Sequence, residues 1–183
     1  MHIFVINLPE AASRREAIER QLCQFNLTFE LVPAIRGKSL TPQERQRHYD
    51  EKRCLRTFGR ALGAGELGCS LSHITCYRKM IEKKISHALI LEDDAWLNPN
   101  LPQILEVLET ESASSQPEVI LLTWASPVAN PYRRLWAGYG LQPVCSAQCT
   151  HGYVLTLAAA EALLDALYPV HNVPDCWDWV LKP

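Results

Sequence analysis

A short apolar run that ends in three acids constrains the fold of this chain more than any other feature. Residues 88–91 are all apolar, and Glu92, Asp93 and Asp94 follow without a break. A run this short and uniform is typical of a buried strand, so the acids stand where that strand leaves the core. Clustered carboxylates there are costly unless neutralised, and Mg²⁺ or Mn²⁺ shared with a phosphate-bearing ligand is the usual solution. The alternative is a charged turn that caps a helix near residues 98–99.

Length and charge narrow the possible classes. The 183 residues predict a single domain, residues 1–183, that is long enough to bury a core. A net charge of −2 gives no electrostatic case for nucleic acid as a partner. The longest apolar runs, 119–122 and 154–157, are far shorter than a membrane span. The first residues lack the basic segment of a secretory signal and predict a first strand instead.

The cysteine pattern predicts neither a disulfide framework nor a zinc site. The chain has seven cysteines and no Cys-x-x-Cys pair, and no matching Cys/His pair accompanies Cys145 and Cys149. An odd count in a chain of this size favours reduced thiols in a cytosolic compartment. We expect most of them to be small buried hydrophobic residues.

Predicted strands and helices alternate along the chain. The predicted strands cover residues 2–8, 28–34, 88–91, 119–123, 144–149 and 152–157. The predicted helices cover residues 13–25, 41–53, 66–83, 101–109 and 158–167. Ser13 and Thr41 are each followed three residues later by glutamate, which predicts a capping box at the start of the first two helices. The alternation indicates an α/β domain with a mainly parallel central sheet flanked by helices.

Ligands of such sheets collect beyond the carboxyl ends of the strands. Asn7, Arg14 and Arg15 follow the first strand, the acidic triplet follows a central strand, and residues 150–152 separate two later strands. An arginine near a helix N-terminus suits phosphate or pyrophosphate. The alternative for the two arginines is a solvated pair on a surface helix.

The helix predicted over residues 66–83 carries a polar stripe. Glu66, Ser70, His73 and Tyr77 share one face at helical spacing. This face lies either toward a catalytic cleft or toward water, and a lone histidine such as His73 is more often structural than catalytic. The residues do not place a third member of a Ser-His-Asp triad.

Four motifs occur in an order that resembles glycosyltransferase family 25. They are Asn7-Leu8 followed by Arg14-Arg15, then residues 65–73 (GELGCSLSH), residues 91–95 (LEDDA) and residues 152–156 (GYVLT). This is the lipopolysaccharide and lipooligosaccharide family that also contains the collagen galactosyltransferases. The resemblance implies a GT-A-like nucleotide-sugar-binding domain and an inverting transfer that depends on Mn²⁺, with Mg²⁺ as the alternative. It also implies UDP-galactose as the most common donor.

The resemblance also implies roles for individual residues. The triplet Glu92-Asp93-Asp94 takes the place of the Asp-x-Asp motif: Asp94 would bind the metal, Glu92 would contact the metal shell or the ribose, and Asp93 would reach the donor sugar as a catalytic group. The residues expected to contact the donor are Asn7, Leu8, Arg14, Glu66, Ser70, His73, Glu92 and Gly152. A metal together with arginine would stabilise the charge that develops on the leaving UDP.

The last residues of the chain combine acids with tryptophans. An inverting transfer needs a general base, and Asp175 and Asp178 are the candidates. Trp177 or Trp179 would stack on an acceptor sugar through its apolar face. The alternative is a surface turn with buried tryptophans. Family members usually continue beyond this region and commonly draw a further metal or acceptor contact from their C-terminal part, so the expectation is a naturally short or a truncated member that lacks one ligand.

Two other functions remain open, a nucleotide-sugar-binding domain with little transfer activity and a metal-dependent phosphoesterase. The second usually needs more histidines than His73 and His151. The expected partners are a UDP-sugar and an oligosaccharide or lipid-linked glycan acceptor. Such an acceptor implies a cytoplasmic protein, peripheral at the cytoplasmic face of the bacterial inner membrane. The basic residues in 45–60 would support weak attraction to anionic lipid, although a solvated surface is the commoner explanation.

Overall fold

The protein forms a five-stranded sheet with helices on both faces. The computed structural model describes residues 1–112, 115–123, 125–127, 133–134 and 138–178. The helices are α1 Ala12–Gln24, α2 Pro42–His48, α3 Glu51–Phe58, α4 Ala64–Lys83, α5 Leu101–Glu111 and α6 Leu157–Leu167, with a 3₁₀ turn at Gly37–Ser39. The strands are β1 His2–Asn7, β2 Glu30–Pro33, β3 His87–Glu92, β4 Val119–Leu121, β5 Ala125–Pro127, β6 Arg133–Arg134, β7 Gly140–Leu141, β8 Val144–Ala147 and β9 Gly152–Thr156.

The strand order of the central sheet is β2-β1-β3-β9-β4. Strand β1 pairs in parallel with both β2 and β3, whereas β9 is antiparallel to β3 and to β4. Four of the five strands therefore run in one direction and only β9 is reversed. This confirms the predicted α/β class with a mainly parallel sheet and is consistent with a GT-A-like fold.

Alternation along the strands builds two separate cores. On β1, Phe4 and Ile6 point to the face that packs against α4 and α6, and Ile3 and Val5 point to the face that packs against α1 and α5. Strand β3 is buried over residues 87–91, which explains its uninterrupted apolar sequence. The apolar faces hold the sheet rigidly between two helical layers, so the ends of its strands are fixed in space.

The predicted start of the first helix is wrong in detail. Helix α1 begins after Ala11, and no side chain caps it. Ser13 therefore lies inside the first turn, and the Ser13–Glu16 capping box does not form. The start is set instead by the turn after β1, where the Ala11 amide donates to the Leu8 carbonyl at 2.8 Å. The turn after β1, and not the local Ser13–Glu16 motif, therefore determines where the helix begins.

The second predicted helix, residues 41–53, is two helices. The capping box of Thr41 and Glu44 is confirmed at the start of α2. At Tyr49 the backbone becomes extended, and the Asp50 carboxylate then accepts a hydrogen bond from the Arg53 amide to cap α3. The break is fixed by tertiary contacts, because the Asp50 amide donates to the Val170 carbonyl at 2.8 Å.

Helix α4 is buried on most of its circumference. Ser70, His73 and Tyr77 of its polar stripe are all buried, so the stripe lies against protein and not water. On another side the helix meets the turn after β2, where a Cβ on Gly68 would lie 2.3 Å from the Ile35 carbonyl oxygen. Only glycine allows this close approach.

None of the seven cysteines, all of which lie in the described residues, forms a disulfide. The expectation that most are buried is wrong, because only Cys54 and Cys76 are fully buried, while Cys23 and Cys145 are exposed. Within the described residues, no helix is both long and apolar enough to cross a membrane.

Candidate active site

The acidic triplet occupies the middle of one edge of the sheet. Because β1, β2 and β3 are parallel, their carboxyl ends meet there, and the start of the reversed strand β9 joins them, with Leu91 opposite Gly152. Residues 34–38 after β2 and residues 122–123 after β4 flank this edge on its two sides. The sheet thus brings together the segments that the sequence predicted to carry the site.

Asp93 is the buried member of the triplet. Its Oδ2 accepts a hydrogen bond of 2.6 Å from the Asn7 side-chain amide, and its Oδ1 lies 3.2 Å from the Arg14 guanidinium. Asn7 also donates to the Ala11 carbonyl at 3.3 Å, so it ties the turn after β1 to β3. Burying a carboxylate in this way is tolerated because both of its oxygens have a partner.

Three side chains contact Glu92 from the interior of the protein. Its Oε1 accepts hydrogen bonds from the hydroxyl of Thr150 and from His73 Nε2, the latter at 3.3 Å, and Cys69 Sγ lies 4.0 Å away. Burial raises the pKa of Glu92, but the hydrogen bond and charge of His73, followed by the Thr150 bond and the charge of His151, outweigh it and leave this pKa lowered. The carboxylate is therefore kept ionised.

A buried chain of hydrogen bonds supports His73. Its Nδ1 lies 2.8 Å from the Tyr153 hydroxyl, which in turn is 2.9 Å from the Tyr77 hydroxyl. The His73 side chain is 1% exposed, and both ring nitrogens are engaged. The expectation that His73 contacts the donor is corrected: it orients Glu92 from inside the core.

Asp94 and His151 lie on the solvent side of the triplet. Both are exposed, and a ligand atom of each lies within 4.8 Å of the other and of a Glu92 oxygen. Among the described residues, none donates a hydrogen bond to the Asp94 carboxylate or to Glu92 Oε2. Two carboxylates with free oxygens at this spacing fit a divalent cation such as Mn²⁺ or Mg²⁺.

A basic cavity of about 320 Å³ lies on the β2 side of the triplet. Three cationic side chains line it, Arg14 from α1 and Arg36 and Lys38 from the turn after β2. Glu92 and Asp93 form its acidic wall, and Arg36 also pairs with Glu10 at the rim. The Ile35 amide donates to the Ser72 hydroxyl of α4 at 2.8 Å, which fixes this turn over the helix. The arrangement suits an anion with several charges.

An apolar cavity of about 590 Å³ lies on the β4 side of the triplet. Its walls come mostly from leucine and isoleucine side chains of α5 and β4, and Tyr139 lies among them. Asp94 and His151 stand at its polar end, and the Trp96 side chain is 95% exposed beside them. This cavity suits an uncharged ligand with an apolar face.

Sequence comparison with known proteins identifies the family of this chain. The sequence model of glycosyltransferase family 25, described as LPS biosynthesis protein, matches residues 1–133. The chain belongs to glycosyltransferase family 25. A Drosophila melanogaster protein named "Glycosyltransferase 25 family member" is 31% identical over 92% of this chain and 29% of its own length.

Other relatives carry names with different implications. "Procollagen galactosyltransferase 1" of Danio rerio is 27% identical over 90% of this chain and 28% of its own length. A Rattus norvegicus relative, 26% identical over 93% of this chain and 31% of its own length, is named "Probable inactive glycosyltransferase 25 family member 3". The chain spans less than a third of the length of these relatives.

Within this family 25 domain, three of the residues predicted to contact the donor lie at or beside the basic cavity. Leu8 and Arg14 line the basic cavity, and Asn7 holds Asp93 beside it. Gly152 lies on the other side, in the wall of the apolar cavity, where a Cβ would approach Leu91 at 3.1 Å. Its smallness serves the packing of β9 against β3, so the expected donor contact by Gly152 is not supported by its position.

Two further donor contacts predicted on α4 are corrected. The Glu66 carboxylate accepts from the Gly63 amide at 2.7 Å and pairs with Arg60 at 2.6 Å, so it caps the helix. The hydrogen bond from Arg60 lowers the pKa of Glu66 despite partial burial. The Ser70 hydroxyl is buried between the carbonyls of Glu66 and Asn172. Both side chains build the frame of the site and neither lines its cavities.

The acids and tryptophans near the end of the described chain have distinct roles. Asp175 is exposed. Burial raises the pKa of Cys69 to about 12, and the negative charges of Glu92, Asp175 and Asp94 add to this rise. Asp178 instead accepts from the Ser146 hydroxyl at 3.1 Å and the Ala147 amide at 3.0 Å. Asp175 therefore stays the candidate base, and Asp178 serves as an anchor.

The prediction that Trp177 stacks on an acceptor is corrected. Trp177 is 5% exposed, packs edge-on against Tyr153 at 5.0 Å and donates from its indole nitrogen to the Cys149 carbonyl at 3.0 Å. A ring packed in this way has no free face for a sugar. Trp179, the other predicted stacking residue, lies outside the described residues.

Sequence reasoning missed Arg36, Lys38 and Trp96, and it placed residues 150–152 near the triplet without predicting the contact of Thr150 with Glu92. Arg36 and Lys38 follow β2 directly, so the rule that ligands gather beyond strand ends could have identified them. Trp96 gave no comparable signal, and the hydrogen bond from Thr150 to Glu92 has no local signature in the sequence. Their contribution depends on the antiparallel pairing of β9 with β3 and on the path of the chain after Asp94.

Proposed function

We propose that this chain transfers a hexose, galactose from UDP-galactose in the simplest case, to a sugar acceptor in a metal-dependent inverting reaction. The observation that carries the proposal is the position of the acidic triplet between a basic cavity and an apolar cavity. The basic cavity suits a nucleoside diphosphate, and the apolar cavity suits an acceptor glycan. Family membership and the galactosyltransferase names of relatives support the reaction class.

The residues of the basic cavity hold the donor in this mechanism. Arg14, Arg36 and Lys38 neutralise the diphosphate, which gains negative charge as the bond to the sugar breaks. Asp93, held by Asn7 and Arg14, fixes the edge against which the donor sugar lies. A divalent cation held by Glu92 and Asp94 would supply further stabilisation of the leaving diphosphate. Arg14 therefore links the donor side of the site to the triplet.

The acceptor enters from the opposite side. Trp96 offers an exposed ring beside Asp94, and a sugar can stack on such a ring through its apolar face. A general base must take the proton of the attacking hydroxyl, and Asp175 is the exposed carboxylate assigned to this role. The acceptor class proposed is a lipooligosaccharide or lipopolysaccharide glycan, in line with the description of the family.

Calorimetric titration of UDP-galactose with and without Mn²⁺ tests this function, using the wild type, Asp94→Ala and the control Asp165→Ala. Asp165 is an exposed acid on α6, away from both cavities. We expect Mn²⁺-dependent binding in the wild type and the control and its loss in Asp94→Ala. Metal-independent binding, or none in any of the proteins, would contradict the proposal.

A second candidate function is donor binding without transfer. The name of the Rattus norvegicus relative, which describes that protein as probably inactive, is the observation that favours it. Measuring UDP release with and without glycan acceptors separates the functions. Acceptor-dependent release indicates transfer, and binding without release indicates a binding domain. UDP release that is the same with and without an acceptor indicates a phosphoesterase or hydrolase.

The proposal includes a place of action at the cytoplasmic face of a bacterial inner membrane. Helices α2 and α3 carry the basic residues Arg45, Arg47, Lys52, Arg53 and Arg56, and Arg60 follows them. Arg60 is committed to Glu66, which reduces the charge available to lipid. Salt-sensitive co-sedimentation with anionic liposomes is the expected result, and its absence would remove the membrane contact.

A further inference from the structure

The loop before β9 presents an imidazole to the acidic triplet. The His151 carbonyl accepts a hydrogen bond from the Glu92 amide at 3.1 Å, one step before the pairing of Leu91 with Gly152. The neighbouring Thr150 is buried and bonds to the Glu92 carboxylate. The backbone of His151 is therefore fixed on the same ladder as Glu92.

The same loop is tied down on its other side. Cys149 adopts a left-handed backbone with φ of 80°, and its amide donates to the Asp175 carbonyl at 2.8 Å. Its own carbonyl accepts from the Trp177 indole. A non-glycine residue in this conformation is held there by its surroundings, which is typical of functional segments. The loop places His151 with little freedom.

Glu92 divides its two oxygens between the interior and the site. Within the described part of the chain, Thr150, His73 and Cys69 all contact the Glu92 carboxylate through Oε1. Oε2 is therefore left available to a cation, and ligand atoms of Asp94 and His151 lie within 4.8 Å of a Glu92 oxygen and of each other.

We propose that His151 is a protein ligand of the cation, together with Glu92 and Asp94, and that its imidazole makes the site select Mn²⁺ over Mg²⁺. The inference rests on the proposed metal-dependent function and adds to it a third ligand and a metal preference. Imidazole suits transition metals, whereas Mg²⁺ favours oxygen ligands and keeps several waters. A site of two carboxylates alone would discriminate less.

A second group near Glu92 competes for the same assignment. Cys69, His73 and Glu92 also have ligand atoms within 4.8 Å of one another. Both ring nitrogens of His73 are already engaged, Nδ1 with Tyr153 and Nε2 with Glu92. A cation there would have to break this buried chain, so the exposed group with His151 is the better site.

Titration of the protein with Mn²⁺ alone, followed by the loss of the free-ion electron paramagnetic resonance signal, tests the inference, and competition with Mg²⁺ gives the selectivity. We expect His151→Ala to weaken Mn²⁺ binding about 10- to 100-fold and Mg²⁺ binding much less. His151→Asn, which restores an oxygen ligand, should recover affinity but not the preference for Mn²⁺. His2→Ala is the control, because His2 pairs with Glu30 at the opposite end of β1.

Each outcome separates this inference from the proposed function. Unchanged Mn²⁺ affinity in His151→Ala, or no Mn²⁺ binding by the wild type, would overturn the inference. UDP-galactose titration on the same proteins provides the second measurement. Metal binding that needs His151 without any donor binding would support the site and contradict the transferase. Mn²⁺-dependent donor binding with an unchanged metal preference in His151→Ala would contradict only the role of His151.

Discussion

The two sides of the acidic triplet differ in charge, although they share one edge of one sheet. The basic cavity is the smaller, about 320 Å³, and three cationic side chains line it. The apolar cavity is larger, about 590 Å³, and the described side chains that line it include no lysine or arginine. The triplet thus separates a place for a highly charged ligand from a place for a neutral one.

The two cavities also differ in how they are built. The basic cavity depends on a tight contact in which the turn after β2 lies on α4, with Gly37 and Gly68 at the point of closest approach. The apolar cavity is bounded by residues after β3, by α5 and by the end of β4, and its exposed Trp96 projects from a surface segment. The basic cavity is therefore rigid by construction, whereas the apolar cavity can change with the side chains that line it.

The substitution Gly68→Ala should have the largest effect, and only on the basic side. A Cβ there would lie 2.3 Å from the Ile35 carbonyl oxygen and 2.7 Å from the Gly37 amide nitrogen, so the turn must move. We expect a loss of about 1–3 kcal/mol in the free energy of unfolding. UDP affinity should fall too, because Arg36 and Lys38 move with the turn. Urea unfolding and UDP titration measure both.

Gly65→Ala is the matched control on the same helix. Beyond the neighbouring residues of its own helix, a Cβ added at Gly65 would meet no described atom within 4 Å. Alanine stabilises a helix relative to glycine by up to about 1 kcal/mol. This variant should be as stable as the wild type or more so, and because Gly65 lines the basic cavity it is a control for stability and not for UDP affinity. Equal losses in both variants would show that the contact with the turn is not what fixes the basic cavity.

Lys38→Ala should weaken UDP binding about 10-fold, because one charge-assisted contact to a phosphate is worth about 1.5 kcal/mol or more. The dependence of affinity on salt should become shallower. Lys52→Ala on α3, which lines neither cavity, is the control and should bind UDP like the wild type. Wild-type affinity in Lys38→Ala would mean that the diphosphate lies elsewhere.

Much of this comparison could be predicted from the sequence, for a physical reason. Parallel strands bring their carboxyl ends to one edge, so a pattern of buried strands suffices to gather Asn7, Arg14 and the triplet there. The pairing of β9 with β3 joins segments that are about sixty residues apart in the chain, and no local sequence pattern predicts it. The sequence placed residues 150–152 at this edge, but for that reason the contacts of Thr150 and His151 with Glu92 became visible only in the structure.

Errors of the opposite kind arose where polar residues serve the core. Ser70 and Trp177 belong to motifs that suggest sugar binding, yet both are buried and bond to backbone carbonyls. A sequence cannot distinguish a polar group that faces a ligand from one that ties two segments together. The glycine at position 68 is similar, because its requirement comes from the turn that lies on it.

Trp96→Ala tests the acceptor side with a smaller effect. Loss of one aromatic stacking contact should raise the KM for the acceptor about 2- to 10-fold, which corresponds to about 0.5–1.5 kcal/mol. UDP affinity and kcat should stay as in the wild type, and Trp96→Phe should restore most of the loss. Steady-state transfer kinetics with varied acceptor measure it. A fall in UDP affinity in Trp96→Ala would show that the two cavities do not serve separate ligands.

The smallest effect is expected for Glu30→Gln, which lies outside both cavities. Burial raises the pKa of Glu30, but hydrogen bonds and charges from Lys79 and Lys83 outweigh it and lower this pKa to about 2 from its ordinary value of 4.5. The ion pairs of Glu30 therefore stabilise the fold above pH 4.5, and this contribution is lost as the pH falls towards about 2.

The variant should be less stable than the wild type by about 1 kcal/mol or less at neutral pH, because these pairs are partly exposed. The difference in the free energy of unfolding should shrink at about pH 3, inside the window in which Glu30 takes up its proton. Urea unfolding at the two pH values measures it, with Glu161→Gln on the exposed side of α6 as the control. UDP and metal affinities should not change. A change in either affinity would show that the ion pairs between α4 and β2 influence the site, so that the two cavities could not be treated as independent of the far end of the sheet.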